Sequence, residues 1–171
     1  MSVPDSADLR AGAPLHDALL AVLPLVGVWT GHGTGISPSG GEFSFGQRLS
    51  FVHDGRPFLA YESRAWIENP DGSVLRQAWR ESGFWRVTPG PDDLEVILAS
   101  NTGEALMYTG TAGDQRWDIT TASAVGTPTA KQVDTERRLY AIADGDLVYA
   151  SELATAGNPL APHLNARLRR E

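Results

Sequence analysis

Four histidines, His16, His32, His53 and His163, are the side chains in this 171-residue chain best suited to ligate a transition metal. Cysteine is absent, so a disulfide framework, an iron–sulfur site, a Cys-based zinc site, a thiol nucleophile and a thiolate haem ligand are all excluded. The two methionines are Met1, at the N-terminal tail, and Met107, in the middle of an apolar alternation. If the chain holds iron, histidine is therefore the expected protein ligand. No two histidines stand at i, i+4 or at a Cys/His zinc spacing. His163 follows Pro162 at the start of the last strand-like run. A neutral imidazole there can offer one ring nitrogen to iron while the other donates a hydrogen bond that fixes the ring. Alternation alone groups it with Asn165 and Arg167, opposite Leu164, Ala166 and Leu168, which reads as a solvated polar face. His32 reads as a rim or surface histidine and His16 as exposed at a helix start. His53, just before Asp54-Gly55, reads as solvated in a turn. The Asp92-Asp93 pair and the scattered serines and threonines form no acid–base pair or triad.

The elements that must position these groups are mostly strands. Apolar residues make up 42% and charged residues 20%, an ordinary globular balance that suits one domain. The net charge of −7 disfavours sequence-independent nucleic-acid binding, which needs a positive field. Residues 1–14 are polar, are expected to form a flexible tail and carry no secretory pattern. The most apolar stretch, Ala18 to Trp29, is too short to span a bilayer and is broken by Pro24 and Gly27. A cytoplasmic location, no membrane partner and no nucleic-acid partner are expected. Leu15, Leu19, Leu20 and Leu23 at helical spacing predict a short helix over Asp17–Leu23, ended by Pro24. Beyond it, runs rich in β-branched and aromatic residues alternate with turn dipeptides such as Asp54-Gly55, Asp71-Gly72 and Asp144-Gly145. The predicted strands are Leu25–Gly33, Glu42–His53, Phe58–Glu68, Val74–Thr88, Leu94–Ala99, Glu104–Thr111, Gln115–Ala122, Val133–Ala143, Leu147–Ala156 and His163–Arg169. A long antiparallel meander exposes edges unless it closes. The fold class predicted is thus all-β: an up-and-down, calycin-like antiparallel barrel of about ten strands over residues 15–171, with one short N-terminal helix. Such a barrel is wide enough to hold a ligand.

The first strand reads Gly27-Val28-Trp29-Thr30-Gly31-His32-Gly33. Alternation sets Gly27, Trp29, Gly31 and Gly33 on one face, where glycines let a neighbouring chain approach closely. Trp29 is expected to plug the closed end, with a cation such as Arg167 stacked on it. No helix follows these glycines, so they do not form a phosphate cradle. Glu81 and Arg86 fall on opposite faces of one strand, each expected to pair with a neighbouring strand.

These motifs, taken in order, resemble the nitrobindins, haem-binding barrels similar in shape to the fatty-acid-binding proteins. The resemblance rests on Gly27-x-Trp29-x-Gly31-x-Gly33, Glu81-Ser82-Gly83-Phe84-Trp85-Arg86, Asn101-Thr102-Gly103, Arg138-Leu139-Tyr140 and Pro159-Leu160-x-x-His163-Leu164-x-Ala166. It implies one haem b per chain in the mouth of the barrel, with His163 as axial ligand to ferric iron. It implies that Lys131 contacts the haem, where an ammonium suits a propionate; pattern alone reads Lys131 equally well as a solvated loop lysine. The implied activity is isomerisation of peroxynitrite to nitrate, with nitric oxide as a further ligand and no catalytic side chain beyond the haem iron. A homodimer is compatible with the resemblance. Two departures stand out. Ile36-Ser37-Pro38 replaces the Tyr-Pro-Thr of many members, and Trp79 stands where many carry a histidine. An indole at 79 either narrows the mouth or shields the iron from water. The rival expectation is a barrel that carries a fatty acid or another apolar ligand without catalysis. A buried arginine pair for a carboxylate would support it, for which Arg64, Arg80 and Arg137 are the candidates.

Overall fold

The computed structural model describes residues 2–90 and 93–171. Met1 and Asp92, both considered above, lie outside the described residues. A 3-10 helix, Asp17–Leu25, precedes ten strands: β1 (Gly27–Ile36), β2 (Glu42–Val52), β3 (Leu59–Glu68), β4 (Val74–Val87), β5 (Asp93–Ser100), β6 (Glu104–Gly113), β7 (Arg116–Gly126), β8 (Thr135–Ala143), β9 (Asp146–Ala154) and β10 (Ala161–Arg170). Each strand pairs antiparallel with the next, and β1 pairs with β10, so the sheet closes into the expected barrel. The turn dipeptides work as read: Asp144 and Gly145 both take positive φ, 54° and 83°, which a tight two-residue hairpin turn requires.

Closure depends on β1. Gly31 lies opposite Leu168 and Gly33 opposite Ala166. A Cβ on Gly31 would run into the Arg167 carbonyl, and one on Gly33 into the Asn165 carbonyl and the Phe45 ring. The missing side chains are what allow β10 to lie so close.

The helix stoppers one end. It differs from the expected helix in type and length, because short i→i+3 turns such as Leu19 N to His16 O (2.9 Å) carry it through Pro24 to Leu25. Leu19, Val22 and Leu25 are fully buried beneath it. Two indoles pin it: Trp29 Nε1 donates to Leu25 O (2.9 Å) and Trp117 Nε1 to Ala21 O (2.8 Å). Trp29 is fully buried at this end, as expected, but the stacked cation is Arg170 rather than Arg167. The register explains the correction. Arg170 is the cross-strand partner of Trp29 and its guanidinium lies 4.1 Å from the ring centroid. Arg167 pairs with outward-facing His32 and reaches Asp146 at 2.8 Å. Arg170 also donates to the Val26 and Pro24 carbonyls, which the end of the helix leaves free.

His53 is a second correction. It is 1% exposed, not solvated. Ser6 forms a two-way backbone bridge with it (2.7 and 3.0 Å), so part of the stretch expected to be a loose tail is pinned to the barrel here. His16 caps the helix with its side chain and is exposed, as read.

The close β1–β10 contact gives a direct expectation. Gly31→Ala should cost about 1–3 kcal/mol through overpacking against backbone. Urea unfolding measures this, and a variant as stable as the parent would contradict the tight closure.

Candidate functional site

The strands β2, β4, β6, β8 and β10 all begin at the end opposite the helix, so that end is the mouth. His163 sits there, at the start of β10. The pairing of β10 with β9 shifts register between Pro162 and Leu164, which makes His163 the extra residue of a bulge. Simple alternation therefore does not set its direction. The half-buried ring lines a cavity of about 630 Å³ at the rim, together with the apolar Ile36, Phe43, Ile67 and Leu164 and the acidic Glu42 and Glu68. That volume lies in the range of small-molecule and cofactor sites. His163 Nδ1 lies 2.9 Å from the Ile36 carbonyl oxygen. A carbonyl only accepts, so Nδ1 carries the proton and Nε2 holds a free lone pair. This is the arrangement by which a metal-ligating histidine is oriented.

The walls near His163 are aromatic. Trp79 packs on Phe45 (5.1 Å between ring centroids) and edge-on to Phe43 (6.4 Å). The indole that replaces the expected histidine is therefore part of the apolar lining of the mouth. Lys131 is exposed in the β7–β8 loop at the same end. It borders a separate, smaller hollow of about 210 Å³ with Leu106, Ala124 and Val133. The mouth thus carries an oriented imidazole, an aromatic wall and a peripheral ammonium. Among the described residues no cluster of three His, Cys, Asp or Glu could hold a bare ion. A lone oriented imidazole beside a rim cavity with apolar side chains from Ile36, Phe43, Ile67 and Leu164 fits a haem, whose porphyrin supplies the other ligands. Gly27, Trp29, Gly31 and Gly33 take no part in the mouth lining; they build the closed end and the β1–β10 seam.

Below the mouth lies a polar layer that sequence reading missed. Arg138 on β8 points inward and is 7% exposed. It donates to Glu81 across the barrel through Nη1 (2.9 Å) and Nη2 (2.6 Å). It also donates to Glu136 through Nε and Nη2, both at 3.0 Å. Tyr108 donates to Glu136 (2.5 Å) and Tyr61 to Glu81 (3.4 Å). Burial pulls the Glu81 carboxyl up, but the Arg138 guanidinium overcomes it and holds it below the usual value. Burial pushes the Tyr61 and Tyr108 hydroxyls well up, so they remain protonated donors. Glu81 was expected to pair with a neighbouring strand; its partner is instead four strands away. Arg86 does face outward to Glu95 on β5 (3.1 Å). The inward parity of Glu136, Arg138 and Tyr140 was the available signal.

The rival carboxylate-carrier reading has little to stand on. Arg64 and Arg80 share Glu62 on the outer surface, and Arg137 pairs there with Asp118. The inward guanidinium, Arg138, already has two carboxylates.

Comparisons with known proteins agree with this geometry. A family model described as "THAP4-like, heme-binding beta-barrel domain" matches residues 18–170. A protein named peroxynitrite isomerase from Salinispora arenicola (strain CNS-205) is 43% identical over 170 residues, covering 97% of this chain and 87% of its own. A ferric nitrobindin-like protein from Nocardia farcinica (strain IFM 10152) is 42% identical, covering 97% of this chain and 72% of its own. The crystal structure of Rv2717c from M. tuberculosis superposes with a TM-score of 0.80 at 32% identity, over 92% of this chain and 99% of that one.

Removing Arg138 should strand two buried carboxylates. Arg138→Met is expected to lose about 3–5 kcal/mol at neutral pH. Glu81 has a folded value below its unfolded one, so its contribution is present above about pH 4.3 and is lost as pH falls through the folded value. The gap between variant and parent should therefore shrink in acid. Urea unfolding at pH 7 and pH 3.5 measures both, and a neutral-pH loss below about 1 kcal/mol, as for a surface pair, would contradict the assignment.

Proposed function

Because the chain belongs to the THAP4-like, heme-binding beta-barrel domain family, we propose that it holds one ferric haem b on His163 and isomerises peroxynitrite to nitrate. The observation that carries this reading is the hydrogen bond from His163 Nδ1 to the Ile36 carbonyl, which leaves Nε2 of the neutral ring without a proton beside a rim cavity that Phe43, Ile67 and Leu164 share with polar side chains. When bound, ferric haem supplies a Lewis acid for peroxynitrite and a site for nitric oxide. The chain's own part is to bind, orient and keep water away. The Ile36 carbonyl fixes the tautomer and the plane of the His163 ring, and makes Nε2 more basic. Phe43, Phe45, Trp79 and Leu164 put apolar surface at the mouth, which would help exclude water around a bound haem. Lys131 is the residue we assign to a propionate, supported by its exposure at the same end of the barrel. No side-chain acid or base is required. The names of the relatives from Salinispora arenicola and Nocardia farcinica support the same chemistry.

Hemin titration of the apoprotein tests this. A saturable one-to-one Soret shift is expected, lost in His163→Ala. Lys131→Met should bind about two- to fivefold more weakly, the effect of one exposed ion pair. Loaded protein should convert peroxynitrite to nitrate faster than free hemin. An unchanged Soret titration in His163→Ala would remove iron from His163, and a rate equal to that of free hemin would remove the catalytic assignment.

A further inference from the structure

The buried layer below the mouth contains more acid than base. Every contact made by the Glu81 and Glu136 oxygens comes from a donor: four N–H bonds from Arg138 and one hydroxyl each from Tyr61 and Tyr108. The Arg138 guanidinium grips both carboxyl groups bidentately, giving one N–H to each of their four oxygens, which is the geometry of guanidinium–carboxylate ion pairs. Arg138 is their shared partner, and among the described residues no other cation makes an ion pair with either. Two negative charges and one positive charge leave a net charge of −1.

That excess is costly in an interior where the three side chains are 11%, 7% and 9% exposed. A neutral pair would avoid the cost. The layer also has a definite place. Glu81 is the next inward residue below Trp79 on β4, and Glu136 is the first buried residue of β8 counted from the mouth. It lies directly beneath the apolar lining where the preceding section seats a haem.

We infer that the Glu81–Arg138–Glu136 layer supplies a buried negative charge that favours the ferric over the ferrous state of the haem bound above it. The inference rests on the haem reading. A ferric porphyrin core carries one net positive charge and a ferrous core carries none. A fixed negative charge across low-dielectric protein therefore stabilises the ferric form selectively. An apolar mouth alone would do the opposite, because desolvation penalises the charged core. The two carboxylates act through charge, and the hydrogen bonds around them hold that charge in place.

The test is the ferric/ferrous midpoint potential of hemin-loaded protein, measured by spectroelectrochemistry at pH 7. Glu136→Gln and Glu81→Gln each keep size and remove one charge, though one acceptor oxygen facing Arg138 becomes a donor; both should move the potential upward. Glu136→Asp keeps the charge and should stay with the parent. Glu95→Gln, on the outer wall near the helix end, should also leave the potential unchanged. Unmoved potentials in both Gln variants, or equal shifts for Gln and Asp at 136, would overturn the inference. If the Gln variants fail to fold, the parent decides. Its potential should lie at or below that of imidazole-ligated haem in water, and a higher value overturns the inference. Failure of the parent to take up hemin is a separate result, seen in the Soret titration before any potential is read; it sinks the haem reading, and this inference with it.

Discussion

The seam between β1 and β10 is the constraint on which the rest of the structure depends. A meander of ten strands has two free edges until its first and last strands meet. Here they meet because Gly31 and Gly33 put no side chain between the strands, and the carbonyls of Arg167 and Asn165 take up that space. Closure then fixes register. It sets Arg170 against Trp29, ties the end of the helix to the last strand, and divides the wall into an inner and an outer face. It also brings His163, near the end of the chain, beside the carbonyl of Ile36 at the end of the first strand. The orientation of the candidate ligand is thus a product of the same closure that makes the barrel.

Inside, the barrel changes character along its length. At the stoppered end Trp29, Trp85 and Trp117 are fully buried, and Trp85 packs edge-on against Phe51 and Tyr140. That region is dense and apolar, and carries most of the hydrophobic stabilisation. The Glu81–Arg138–Glu136 layer follows, joined by a second buried chain in which Tyr149 donates to Gln47 and Gln47 to Ser63. The mouth is apolar again but open. The polar layer separates the part of the interior that holds the fold together from the part left free to hold a ligand.

The strands were legible because alternation and turn dipeptides are local signals. All ten are present, and Asp144-Gly145 makes the turn its residues dictate. Contacts between distant parts of the chain were not legible. His53 looked like a turn residue because nothing near it in sequence reveals that Ser6 folds back to pair with it. Arg167 was taken as the cation on Trp29, since the choice between 167 and 170 depends on a register that pattern cannot fix. His163 sat on the polar side of its strand by parity, and only the bulge at Pro162 releases it. The ion pair of Glu81 with Arg138 spans from β4 to β8, so neither segment alone announces it. The assignment of His163 and Lys131 came from resemblance to a family, while the structure supplies the free Nε2 and the shared end of the barrel.

The helical stopper has a consequence for traffic. With Leu19, Val22 and Leu25 sealing one end and the sheet closed all round, a small molecule that reaches the interior has a single doorway. Arrival and departure must then take turns. A molecule leaving the interior would pass the same aromatic walls it met on the way in, and its chance of being recaptured would rise. Such a vestibule lengthens the dwell time of short-lived species near the centre that made them, and it makes the rate of clearing the doorway, rather than the rate of collision in bulk solvent, the natural ceiling on turnover.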